Sequence, residues 1–269
     1  MRPKSKHINL VLSGTGALYP AQVGAICALM DLGYSFKALS GTSGGAIMAA
    51  AVATGITKDR LRRIIIDYNP WSLLFKKPDP FFSPGWGIYD NYPLEMIISH
   101  MTRKEQTFES CPIPLHIVAT QLAPSYNRVV FNKHSSPEMS LSTACRISSA
   151  IPILFKAIKY KGATLIDGTF VDNLHLEPFK SDFDHTIAIT VKIRSIGNPQ
   201  TFWQYVKSCL SMLITDQSLP PFVPDNLTLI PIDVYDYIVP LKFNLSRGDK
   251  IKLYDIGYNT VMMHLNQKH

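Results

Sequence analysis

Short apolar runs alternate along the chain with segments whose apolar residues recur at helical spacing, and that alternation predicts its elements. Residues 7–12, His-Ile-Asn-Leu-Val-Leu, carry the pattern of a strand buried on both faces, as in a parallel sheet. A helix is expected over 21–32 with Gly33 as its cap, then a strand over 34–39 and a helix over 46–53 ended by Gly55. Further helices are expected over 57–67, 93–101, 140–150, 201–214 and 248–265. Further strands are expected over 114–122, 128–131, 164–166, 187–193 and 227–232, the first of these central and the second at an edge. Between Asn69 and Gly87 the prolines and glycines exclude regular structure, while Trp71, Phe75, Phe81, Phe82 and Trp86 exclude a disordered linker. That stretch either caps the core or forms a lid that dips into a lipid interface. Neither a repeat nor a linker divides the chain, so one α/β domain with a mainly parallel sheet is expected over 1–269.

Composition narrows the class of partner. Charged residues make up 17% of the 269 positions, below the usual quarter, and the net charge is +7. A basic but weakly charged surface suits contact with anionic membranes or phosphate-bearing substrates. No Lys/Arg run with interleaved aromatics is present, which argues against a nucleic-acid partner. Cys27, Cys111, Cys145 and Cys209 are far apart and form no C-x-x-C, so free thiols in a reducing, cytoplasmic compartment are expected and a metal site is not. The apolar run 8–12 is too short for the core of a signal peptide, and no stretch approaches the length of a membrane span.

Chemistry concentrates at two glycine-bearing turns. Gly41-Thr42-Ser43-Gly44-Gly45 lies between an expected strand and an expected helix, the setting of a nucleophile elbow with Ser43 at its tip. Gly41, Gly44 and Gly45 flank it where a β-carbon would collide, and the helix aims its free amides at the same point. After the first strand runs Ser13-Gly14-Thr15-Gly16. A dinucleotide fingerprint fails because Tyr19 stands at the third glycine's position, and a phosphate-binding P-loop fails for want of its Gly-Lys-Ser/Thr. What remains is a glycine loop whose amides can converge on an oxyanion. The serine also needs a base. Of the downstream histidines only His175 lies near a glycine-bearing turn; the alternative is Asp167, which closes an apolar strand and forms with Gly168 the chain's only Asp-Gly pair. From the residues alone both remain open.

Three separated blocks resemble the patatin-like phospholipase family. They are Leu12-Ser13-Gly14-Thr15-Gly16-Ala17 with Gln22-Val23-Gly24, then Gly41-Thr42-Ser43-Gly44-Gly45, then Ala144 to Pro152 leading through Phe155 to Ile166-Asp167-Gly168-Thr169, Asn173 and Pro178. The resemblance implies a three-layer α/β/α sandwich and a Ser43–Asp167 dyad without a catalytic histidine or a cofactor. It implies an oxyanion held by amides of Gly14, Thr15, Gly16 and Gly44, and a lipid ester at a membrane surface as substrate, a phospholipid or lysophospholipid. Two departures stand out: in the oxyanion box Leu18 replaces the family's basic residue and Thr15 and Tyr19 replace glycines, and, more mildly, Thr169 stands in the Asp box where Gly or Ala is common. They motivate an alternative, a patatin-like module that binds lipid or a protein partner with little or no catalysis.

Overall fold

The computed structural model describes residues 6–67, 78, 85–102, 106–193, 198–215, 223–234 and 241–266. Most of the aromatic stretch expected as a cap or lid lies outside the described residues; at its end Trp86 is 67% exposed. Strand β1 (His7–Leu12) leads through a single 3-10 turn into α1 (Tyr19–Asp31), and β2 (Ser35–Thr42) leads through Ser43 into α2 (Gly44–Ala53). After α3 (Lys58–Asp67), β3 (Gly87–Tyr89) and α4 (Tyr92–Met101) come β4 (Leu115–Ala123), β5 (Asn127–Phe131) and α5 (Leu141–Ser148). Then follow β6 (Ile153–Phe155), β7 (Ile158–Tyr160), β8 (Ala163–Asp167), β9 (Thr186–Ile193), α6 (Phe202–Thr215), β10 (Thr228–Val234) and α7 (Arg247–Asn266).

The longer elements fall where the apolar pattern puts them. Helix α1 begins two residues earlier than expected, because Pro20 fits a first turn that needs no amide from it. Helix α5 is shorter than expected, ending at Ser148 with Ser149 as its C-cap. Strands β3, β6 and β7 are not foreseen; three residues are too few for a period to show. Strand β10 tolerates Pro231 because it is an edge, where a missing amide costs no ladder bond.

The main sheet has the order β10-β9-β1-β2-β4-β8-β7, with β5 paired to β4 as well. Strands β10, β9, β1, β2 and β4 are parallel, whereas β5, β8 and β7 join antiparallel. The pleat divides β1: Ile8, Leu10 and Leu12 enter the large core beneath α1, α2, α5 and α7. Val11 faces the other way, into a smaller cluster with Leu174, Phe179, Ala188 and Leu227. Segment 168–185, with three single-turn helices, covers that second face, and α6 packs beside β9. The result is a sheet with helices on both faces, thick on one side and thin on the other. Helices α1 and α7 touch backbone to backbone, since a β-carbon on Gly24 would meet the Tyr254 carbonyl and one on Gly257 the Ala21 carbonyl. All four cysteines are free, and among the described residues no helix is long and apolar enough to cross a membrane.

Strand β4 creates the site. Its residues 115–118 pair with β2 and its residues 119–123 with β8, both along one flank, because β5 occupies the other flank over 117–121. Since β2 is parallel to β4 and β8 antiparallel, their carboxyl ends meet head to head. Thr42 pairs with Val118 and Asp167 with Ala119, adjacent positions on the shared strand. Two residues 124 apart in sequence therefore face each other.

Candidate active site

Ser43 occupies the tip of the elbow at φ 53°, ψ −123°, a left-handed setting that a residue with a β-carbon holds only under strain. The surroundings hold it there. Its amide donates to Ser148 Oγ at 2.8 Å, and its carbonyl accepts from the Ala46 amide at 3.0 Å. Gly41 and Gly45 let the turn close: a β-carbon on Gly41 would lie 2.5 Å from the Gly45 carbonyl oxygen, and one on Gly45 2.5 Å from that of Leu12.

The Ser43 hydroxyl donates to Asp167 Oδ2 at 2.6 Å. Asp167 Oδ1 accepts from the Thr169 amide at 2.9 Å and from its hydroxyl at 2.8 Å, while Thr120 Oγ1 donates to the Asp167 carbonyl at 2.8 Å. Both side chains are buried. Burial pushes the Asp167 carboxyl up, the bonds from Ser43 and Thr169 pull it partly back, and it settles at about 6. Such a group is ionised at neutral pH yet far more basic than a carboxylate in water, which is what a proton acceptor from a hydroxyl requires.

The glycine loop is arranged differently from its sequence expectation at one position. The Gly14 amide donates to Asn173 Oδ1 at 2.7 Å, so it is already engaged. Gln22 Nε2 donates to the Ser13 carbonyl at 2.7 Å, and the Leu18 amide closes the 3-10 turn on the Thr15 carbonyl at 3.0 Å. Leu18 and Tyr19, which stand where the family has a basic residue and a glycine, are buried in the core. Thr15 lies against Gly44, where a β-carbon would come within 2.6 Å of the Thr15 hydroxyl oxygen. Gly16 and Gly44 border a cavity of about 20 Å³ over Ser43, walled by Leu94, Ile151, Phe155 and Phe243. That is room for about one water molecule. Asn173 therefore sets the loop rather than touching the reacting atoms. Asn173→Ala is expected to cost about 1–3 kcal/mol in denaturant unfolding by orphaning a buried amide, and to slow acylation of Ser43 in parallel.

Among the described histidines none bonds to Ser43 or Asp167. His175 is tied through Nδ1 to Asp172 Oδ2 at 2.7 Å, and Arg128 donates to the same oxygen at 2.8 Å. The Asp172 carbonyl accepts from Thr42 Oγ1 at 3.0 Å, so this cluster fastens the loop after Asp167 to the end of β2. Sequence reading missed Ser148, Arg128 and Asp172 in these supporting roles; Ser148 alone had a signal, its place in the third block. No group of three or more metal-ligating side chains is found among the described residues.

The fold is a mixed α/β one, a central sheet flanked by helices, with a serine on a strand-to-helix elbow bonded to a buried carboxylate. The chain belongs to the patatin-like phospholipase family, whose model matches residues 10–180. Membership supports lipid hydrolase activity in general. An uncharacterized protein of Acanthamoeba polyphaga mimivirus is 27% identical over 283 aligned positions, covering 96% of this chain and 93% of its own. An uncharacterized protein of Bacillus subtilis is 24% identical, covering 97% and 99%. Among solved structures, VipD from Legionella pneumophila superposes with a TM-score of 0.66 at 15% identity, covering 98% of this chain and 68% of VipD. ExoU of the Pseudomonas aeruginosa type III secretion system, solved in complex with SpcU, gives 0.55 at 18% identity, and this chain spans about half of its length (53%). These likenesses concern the fold.

Proposed function

We propose that the protein is a serine lipid acyl hydrolase that cleaves fatty-acyl esters of phospholipids or lysophospholipids. The 2.6 Å bond between the Ser43 hydroxyl and the Asp167 carboxylate carries this reading. Asp167 takes the hydroxyl proton as Ser43 Oγ attacks the ester carbonyl. The oxyanion is met by amides of Gly16 and Gly44, beside Thr15 and at the positive end of α2; the Gly14 amide takes no part because Asn173 holds it. The proton passes from Asp167 to the departing alcohol, leaving an acyl-Ser43. Asp167 then draws a proton from water as it attacks the acyl-enzyme, and returns that proton to Ser43 Oγ as the ester bond breaks and the fatty acid leaves. A lipid surface suits the exposed Phe202, Trp203 and Tyr205 of α6 together with the net charge of +7.

The test pairs labelling with turnover. A fluorophosphonate is expected to label the protein and to lose its target in Ser43→Ala, while vesicles of mixed phospholipids release fatty acid only with the unsubstituted protein. The buried Leu18 and Tyr19 motivate the second reading, a module that binds lipid or a partner. Labelling of Ser43 without turnover on any lipid would favour that reading.

A further inference from the structure

The cavity over Ser43 holds about 20 Å³, far too little for an acyl ester. Beside it lies an apolar groove of about 610 Å³, within the roughly 300–1,000 Å³ of small-molecule sites. Ile88, Ile153, Leu154, Leu210 and Leu241 line the groove, and Phe243 lines both spaces. The β6 segment is the partition: Ile151 and Phe155 face the serine, whereas Ile153 and Leu154 face the groove. Phe243 is 6% exposed and meets Phe155 edge to face, with ring centroids 6.3 Å apart. Residues 241–246 form neither helix nor strand. Ile153, in the same wall, has φ 72°, a costly setting for a β-branched residue and a store of strain beside the partition.

We propose that Phe243 is a gate between Ser43 and an acyl-chain site, and that displacing its ring joins the two spaces so that a long chain lies in the groove with its ester carbonyl at Ser43. The inference rests on the hydrolase reading and adds to it a place for the acyl chain and a control point at Phe243. Leu210, Leu241 and Phe243 all lie beyond residue 180, where the match to the family model ends. Each methylene that enters the groove is expected to strengthen binding by up to about four-fold. A gate that is mostly shut lowers reactivity by the fraction open, so removing it restores on the order of ten-fold.

Short-chain and hexadecyl fluorophosphonates, compared on the full chain, read the gate and the groove separately. Phe243→Ala, or Phe243→Leu should the alanine variant fail to fold, is expected to raise the labelling rate of Ser43 by about ten-fold. Leu210→Trp, which fills the groove, is expected to lower the hexadecyl rate about ten-fold more than the short-chain rate. Labelling by the short reagent with a hexadecyl rate indifferent to Leu210→Trp, or a Phe243 variant no faster than the parent, overturns the gate and leaves the hydrolase reading intact. Fluorescence titration of Ser43→Ala with cis-parinaric acid keeps the groove testable apart from catalysis. Saturable binding weakened by Leu210→Trp supports the site even if no reagent labels Ser43, and absence of binding overturns it.

Discussion

Asp167→Asn is expected to lower acyl-ester turnover by about a thousand-fold and, at pH 8, to make the protein more resistant to heat. The two effects share one cause. Burial raises the folded-state pKa of Asp167 from the ordinary 3.8 to about 6. Below pH 3.8 the carboxyl is neutral in both folded and unfolded chains, and the stability linked to it is fully present. As pH rises through 6 the folded chain must carry a buried charge that the unfolded chain carries in water, and this stability is lost. The shift corresponds to about 3 kcal/mol, at 1.36 kcal/mol per pH unit, a cost that a neutral amide of the same shape avoids. The same carboxyl sets the pH profile. Log kcat/KM should rise with unit slope and level off near pH 6, and the plateau vanishes in Asp167→Asn. Thermal melts at pH 8 and pH 4 check the stability half: the gain should be present at the first and absent at the second. A variant that keeps a tenth of the parent turnover would exclude Asp167 as the base and return the search to the histidines.

The parts of this site that were legible beforehand are those where chemistry restricts residue type. An elbow serine needs glycines at Gly41 and Gly45 because backbone occupies the space of their β-carbons, so the requirement surfaces as a local motif. Asp167 was legible as a strand-ending Asp-Gly, but its partnership with Ser43 depended on the family resemblance. The physical reason for it is the end-to-end meeting of β2 and β8 on β4, and register between strands 124 residues apart leaves no local trace. The same limit hid Asn173 as the holder of Gly14. A side-chain amide accepting one backbone proton looks, in sequence, like any loop asparagine. Phe243 was out of reach for a further reason: its meaning comes from a void shared by β6, α6 and the segment before α7, and voids have no sequence pattern. Fold class was easier, since buried strands and amphipathic helices repeat their signals over many residues.

Gly45→Ala should be among the most disruptive single methyl groups that the site could receive. Its β-carbon would meet the carbonyl oxygens of Leu12 and Ser13, both backbone of the strand and loop that carry the proposed oxyanion donors. No rotamer relieves such a clash; β1 and α2 must move apart, and the cost is expected at the upper end of overpacking, about 3 kcal/mol. Separation of those elements also pulls Gly44 from Gly16 and relaxes the Ser43 backbone, so fluorophosphonate labelling should fall together with the denaturant midpoint. Gly55→Ala provides the contrast. Gly55 sits at φ 78° with nothing within 4 Å of an added β-carbon, so its cost is conformational alone, about 1 kcal/mol, and Ser43 should keep its reactivity. If Gly45→Ala instead behaves like Gly55→Ala in both measurements, the elbow is not held by contact with the glycine loop. Ser43 would then owe its strained backbone to α5 alone, through the bond from its amide to Ser148.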